Sequence, residues 1–151
     1  MCLNMNLKFR LLIFNAMKLK LLLLFTLLSF TSIAQVSQIE RQALIDLYNA
    51  TDGDNWTNKT NWDTDPNFTS DVSTWYGVTV TEISGQDYVT EIDLSNNNLN
   101  GSLSSLINLS RLNILNLSEN ILLSGKVTFE NYPNSLNTIE LNATGISSLK
   151  L

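Results

Sequence analysis

Residues 89–99 read Val-Thr-Glu-Ile-Asp-Leu-Ser-Asn-Asn-Asn-Leu, and the spacing of Val89, Ile92, Leu94, Asn97 and Leu99 returns twice downstream. Leu112, Leu115, Leu117, Asn120 and Leu122 repeat it after 23 residues. Leu136, Ile139, Leu141, Thr144 and Ile146 repeat it after another 24, with threonine in the asparagine position. Three registrations of a five-position template are hard to obtain by chance, so residues 89–151 are read as about three repeats of one unit. Within each unit the x-L-x-L-x segment predicts a strand whose leucines point inward and whose alternate residues point outward. Each leucine contributes about 1.5–3 kcal/mol, but only once a neighbouring unit closes over it. Asn97 and Asn120 stand where the chain turns away from the strand. A buried amide there satisfies backbone groups of its own turn and of the adjacent coil. Thr144 has a shorter reach, so the third turn is expected to be less firmly tied.

Strand alternation then names the surface. The outward positions are Glu91, Asp93 and Ser95 in the first unit, Ile114, Asn116 and Ser118 in the second, and Thr138, Glu140 and Asn142 in the third. Stacked strands place them in three rows, and these nine residues are the expected ligand contacts. Asp93 and Glu140 flank Asn116 in one row. At about 4.8 Å per strand they would lie roughly 10 Å apart, too far to share a cation or to act as a retaining-hydrolase pair. No catalytic group, metal site or cofactor is expected.

Upstream, residues 35–88 carry three tryptophans and one helical pattern. Ser37 and Glu40 have capping-box spacing: the Ser37 hydroxyl accepts from the N–H of residue 40, and Glu40 is expected to reach back to Ser37. Ile39, Ala43, Leu44, Leu47 and Tyr48 follow at helical spacing, and Thr51-Asp-Gly-Asp-Asn55 ends the helix. Trp56, Trp62 and Trp75 are expected to form the core of this segment, because few other large apolar residues are present to build one. Residues 75–80 (Trp-Tyr-Gly-Val-Thr-Val) read as a short strand with one break, and Gly85-Gln-Asp87 as the turn out of it. The acidic loops at 52–55 and 63–67 lack EF-hand spacing, and turn chemistry accounts for both.

Further upstream, Met17-Lys-Leu-Lys precedes an apolar run from Leu21 to Phe30, and small residues stand at 32 and 34. This is the pattern of a secretory signal peptide over residues 1–34, cut before Gln35, with Met17 an alternative start. An apolar run of about ten residues is half of what a membrane span needs, so no span is expected after cleavage. Cleavage removes Cys2, the only cysteine, and the chain has no histidine. Thiol nucleophiles, Cys/His metal sites and histidine bases are thereby excluded from residues 35–151, and the chain is not expected to be an enzyme. Four of the nine basic residues and none of the fourteen acids precede Gln35, so formal charge falls from −5 to −9. An acidic surface repels phosphate backbones, and nucleic acid is not an expected partner.

The stretch Leu99-Asn-Gly-Ser-Leu-Ser-Ser-Leu-Ile-Asn-Leu109 resembles the plant-type leucine-rich repeat, which usually has proline where Ser104 stands. The Ala43-Leu44 helix, the scattered tryptophans and Trp75-Tyr-Gly-Val-Thr79 resemble the N-terminal cap of the same proteins. Ser73 and Val80 occupy the places of that cap's two cysteines, so the chain resembles the cysteine-free versions in secreted and surface proteins of Bacteroidetes-type bacteria. The resemblance covers residues 37–146. It implies an α/β leucine-rich-repeat solenoid with parallel strands on a concave face behind a helix-containing cap, and an extracellular protein or polysaccharide as partner.

Two departures from the pattern stand out. Asn120-Ile-Leu-Leu-Ser-Gly125 has one residue more than Asn97-Asn-Leu-Asn-Gly101, so the second unit is expected to bulge on its outer side. Ile146-Ser-Ser-Leu149-Lys-Leu151 has an apolar spacing that wants another coil against it. The C-terminal end is therefore expected to be uncapped. The expected function is an exported binding module, secreted or on the cell surface. The alternative is the recognition end of a longer receptor, adhesin or enzyme, and the open end also invites self-association.

Overall fold

The structure, a computed structural model, describes residues 9, 10, 12–18, 20, 35–65 and 70–150. The chain divides into two compact units, Met1–Ile33 and Ala34–Leu151. The described residues of the first are helical. The apolar run and cleavage site of the expected signal peptide lie outside the described residues, as do the side chains of Leu149 and Leu151.

The second unit opens with a helix, α1 (Gln38–Ala50), capped by the Ser37 hydroxyl, which accepts the Glu40 N–H at 3.2 Å. The other half of the expected box does not form. Glu40 is buried, and its carboxylate accepts the Val89 N–H at 3.1 Å, pinning the helix to the first repeat. The helix buries Glu40, Arg41, Ala43, Leu44, Ile45, Leu47 and Tyr48, while Ile39, counted on the apolar face from spacing, is exposed. Thr51 ends the helix by returning both its N–H and its hydroxyl to the Leu47 carbonyl.

Burial raises the Glu40 carboxyl above its ordinary value, against the opposing pull of hydrogen bonds from Val89 and Ser110. An acid whose folded pKa lies above its unfolded one costs nothing below the unfolded value, near 4.5, and weakens the fold as pH rises through the folded value. Glu40→Gln keeps an acceptor for Val89 and removes the charge. A thermal melt at pH 7 should show a gain of a few degrees in Tm that disappears at pH 4. A gain of equal size at both pH values would show that the buried charge is not the cause.

The aromatic core forms as the sequence suggests. Trp56 and Trp75 are buried and Trp62 is partly so. The Trp62 ring lies 4.9 Å from Trp56, 4.7 Å from Trp75 and 5.8 Å from Tyr48, centroid to centroid. Each indole N–H is matched: Trp56 to the Thr51 carbonyl, Trp62 to the Tyr76 carbonyl, Trp75 to the Ser70 hydroxyl. Burial, and then the Asp54 carboxylate 2.8 Å from the phenol, push Tyr48 up to about 12. Arg41 is buried against this core, 4.8 Å above the Trp75 ring, and donates to the backbone carbonyls of Ser70 and Asp63.

Among the described residues seven strands follow: β1 (Val78–Ile83), β2 (Gln86–Asp93), β3 (Asn100–Ser102), β4 (Ile114–Asn116), β5 (Leu122–Thr128), β6 (Thr138–Glu140) and β7 (Gly145–Lys150). β1 and β2 form an antiparallel hairpin through Ser84 and Gly85, both at positive φ, the geometry of a tight hairpin turn. The turn thus comes one to two residues earlier than the sequence suggests, and β1 starts at Val78 rather than Trp75. β2 runs through residue 88, so the helical segment and the repeats share a strand.

The expected architecture is corrected by the sheet topology. The strands do not make a leucine-rich-repeat solenoid with one parallel sheet on a concave face. They make a small α/β domain with two sheets: a mixed four-stranded sheet in the order β1-β2-β4-β6 and a separate parallel three-stranded sheet in the order β3-β5-β7. The hairpin supplies the antiparallel member of the first sheet. The second arises because the segments after each turn, Asn100–Ser102 among them, pair with their successors.

One hydrophobic core joins the helix, the tryptophans and the repeats. Val89, Ile92, Leu94, Leu99, Leu112, Leu115 and Leu117 are fully buried in it. The second unit breaks the template at its last position: Leu123 is fully buried, while Leu122 is 50% and its neighbour Ile121 74% exposed. The extra residue is absorbed directly after Asn120. In the third unit Leu136, Leu141 and Ile146 are only partly buried.

Candidate functional site

The expected contact surface is built by strand register. β2 and β4 pair in parallel with Glu91 opposite Ile114 and Asp93 opposite Asn116. β4 and β6 pair with Ile114 opposite Thr138 and Asn116 opposite Glu140. Two of the three rows therefore exist residue for residue, and Thr79 on β1 extends the first by pairing with Glu91. The third row, Ser95, Ser118 and Asn142, lies past the strand ends. The Asn96 N–H donates to the Ser118 carbonyl and the Glu119 N–H to the Asn142 carbonyl, which keep these segments side by side.

The nine positions are not equally available. Asp93, Glu140 and Asn142 are exposed, and Glu91, Ser95, Ile114, Asn116, Ser118 and Thr138 are half-buried. Asp93 Oδ1 accepts the Ser95 N–H at 3.0 Å and Asn116 Oδ1 accepts the Ser118 N–H at 3.1 Å. Each is thus held rigid by one atom and keeps its second oxygen or its amide for a ligand. The Ser118 hydroxyl is buried without a hydrogen-bond partner, so it offers nothing to solvent. Beside Glu91, the Thr81 and Thr90 hydroxyls bond each other at 2.8 Å, and Arg111 sits 5.8 Å from the Tyr88 ring.

The two repeat asparagines hold this surface from behind. Asn97 exchanges both polar atoms with the backbone of Asn58, donating to its carbonyl at 2.9 Å and accepting its N–H at 2.7 Å. Asn120 reaches back a full repeat: Oδ1 accepts from the N–H groups of Asn97 and Leu99, and Nδ2 donates to the Leu94, Leu117 and Ser118 carbonyls. Among the described residues Thr144 bonds only within its own turn, to the Leu141 carbonyl and from the Ile146 N–H.

Sequence reasoning missed a cleft. An open cleft of about 320 Å³ lies beside the turns, lined by Thr57, Asn96, Asn98, Leu99, Glu119, Ile121 and Leu122. The one-residue excess between Asn120 and Gly125 was the available signal, since it is what turns Ile121 and Leu122 outward. Among the described residues no group of three or more metal-ligating side chains converges, and no helix is long and apolar enough to cross a membrane. Compared with protein-family models and with curated proteins, the chain matches none.

Proposed function

We propose that residues 35–151 are an exported binding module that recognises an extracellular protein or polysaccharide through the exposed face of the four-stranded sheet. The observation that carries this reading is the row Asp93, Asn116 and Glu140, in strand register, with Asp93 and Asn116 each held by a turn bond that leaves a polar atom free. A rigid array of carboxylate and amide groups at about 4.8 Å spacing suits repeated hydroxyl or amide groups in a ligand. The likeness of the repeats to leucine-rich-repeat sequences supports the same reading, and so does the lack of cysteine and histidine after residue 2. Recognition here needs no cofactor.

The test is a panel of immobilised polysaccharides and extracellular proteins probed with the purified chain and with the triple variant Asp93→Ala/Asn116→Ala/Glu140→Ala. The variant should stay folded, with Tm lowered by a few degrees through loss of the two turn bonds, and lose about tenfold or more in affinity for whatever the parent retains. Retention unchanged by the triple substitution would remove this face from the reading. The partial burial of Leu136, Leu141 and Ile146 favours a second reading, in which the same face belongs to the recognition end of a longer receptor, adhesin or enzyme. The intact mass of the native protein separates the two.

A further inference from the structure

We propose that the cleft beside the turns is a second binding site, for a linear peptide segment in which a large aliphatic side chain is followed by lysine or arginine. Its wall is apolar and out of place. Ile121 and Leu122 are 74% and 50% exposed, side by side, whereas Leu94, Leu99, Leu115, Leu117 and Leu123 around them in the repeats are fully buried. They are exposed because the second repeat carries one residue more than the first, so Leu123 takes the core position. Leu99, fully buried, forms the floor.

The rim supplies the polar half. Asn96, Asn98 and Glu119 all stand at positive φ, where the chain leaves the strands. For a glutamate this backbone conformation is uncommon, and the turn holds it at the mouth of the cleft. Asn98 spends its amide N–H on the Asn55 carbonyl, which leaves its side-chain oxygen for a peptide N–H. Glu119 is the one charged residue lining the cleft, and no basic residue lines it. The occupant is therefore cationic beside its apolar group, and the −9 formal charge of residues 35–151 reinforces that preference. A volume of about 320 Å³ is at the small end of ligand pockets and fits one side chain with its flanking backbone rather than a folded surface. The site is separate from the rows of the four-stranded sheet and stands whether or not those rows bind.

The probes are the blocked tetrapeptides acetyl-Gly-Leu-Lys-Gly-amide, its Leu-Glu counterpart and its Ser-Lys counterpart, titrated into the 15N-labelled full chain. With the Leu-Lys peptide, amide shifts should saturate and cluster at Asn96, Asn98, Glu119, Ile121 and Leu122. The Ile121→Ser/Leu122→Ser variant, altered only at exposed positions, should keep its Tm and lose roughly tenfold in affinity. Glu119→Gln should abolish the preference for Leu-Lys over Leu-Glu. The proposal is overturned if no shifts appear at the cleft up to roughly 5 mM peptide, or if the Ser-Lys peptide binds as well as Leu-Lys. It is also overturned if the shifts survive the double substitution.

Discussion

Asn120→Ala is expected to destabilise the chain by about 3–5 kcal/mol, more than any other polar substitution in the repeats. The side chain makes five hydrogen bonds and is itself buried, so alanine leaves the N–H groups of Asn97 and Leu99 and the carbonyls of Leu94, Leu117 and Ser118 without it. A buried group that loses its partner costs about 1–3 kcal/mol, and several are lost at once. Asn97→Ala provides the scale. Asn97 is as buried as Asn120, but its loss breaks two bonds to one half-buried residue, Asn58, whose backbone water can reach, and should cost about 1–2 kcal/mol. Urea unfolding midpoints of the two variants decide the matter. Equal losses would mean that the reach of Asn120 into the preceding coil adds nothing.

Gly77→Ala should cost about 3–4 kcal/mol or more, chiefly through a backbone clash. Gly77 has φ +77°, and a Cβ there would stand 2.2 Å from the Asp93 carbonyl oxygen and 2.9 Å from Leu94 Cδ2. The backbones are this close because the Asp93 N–H donates to the Gly77 carbonyl at 2.8 Å. Relief requires β1 to move off the end of β2. Gly85→Ala isolates the two contributions: it has nearly the same φ, +82°, but nothing within 4 Å of the new Cβ. That variant should lose only the strain of the left-handed backbone, about 1 kcal/mol. If both alanines cost the same by thermal or urea unfolding, the contact with Asp93 is not what demands glycine at 77.

Much of the local organisation was legible. The spacing of Ile92, Leu115 and Ile139 in the sequence is the pairing of β2, β4 and β6 in the sheet, because a repeat of nearly constant length leaves its strands in register. The rows of candidate contacts follow from that register by alternation. The second sheet was not legible, since Asn100-Gly-Ser102 has none of the β-branched or aromatic character of a strand and pairs only because its successor is placed beside it. Spacing also chose Leu122 over Leu123: counting shows that a residue is extra but not on which side of it the core resumes. The burial of Arg41 and Glu40 was not legible: Glu40 reads as a capping-box partner for Ser37, and nothing near Arg41 in the sequence marks it as buried. Their burial depends on the Ser70 and Val89 backbones, 29 and 49 residues away.

The crowding of Tyr48, Trp56 and Trp75 around Trp62 also makes the molecule optically lopsided. All the indole emission originates before residue 76, and beyond β2 the only aromatic residues in the sequence are Phe129 and Tyr132. Tryptophan fluorescence is therefore a local gauge of the helix and its aromatic nest, whereas the far-ultraviolet signal sums over both sheets. Two melting curves that coincide would describe one cooperative block. Curves that separate would give the order in which the repeats detach, with no label added to the chain.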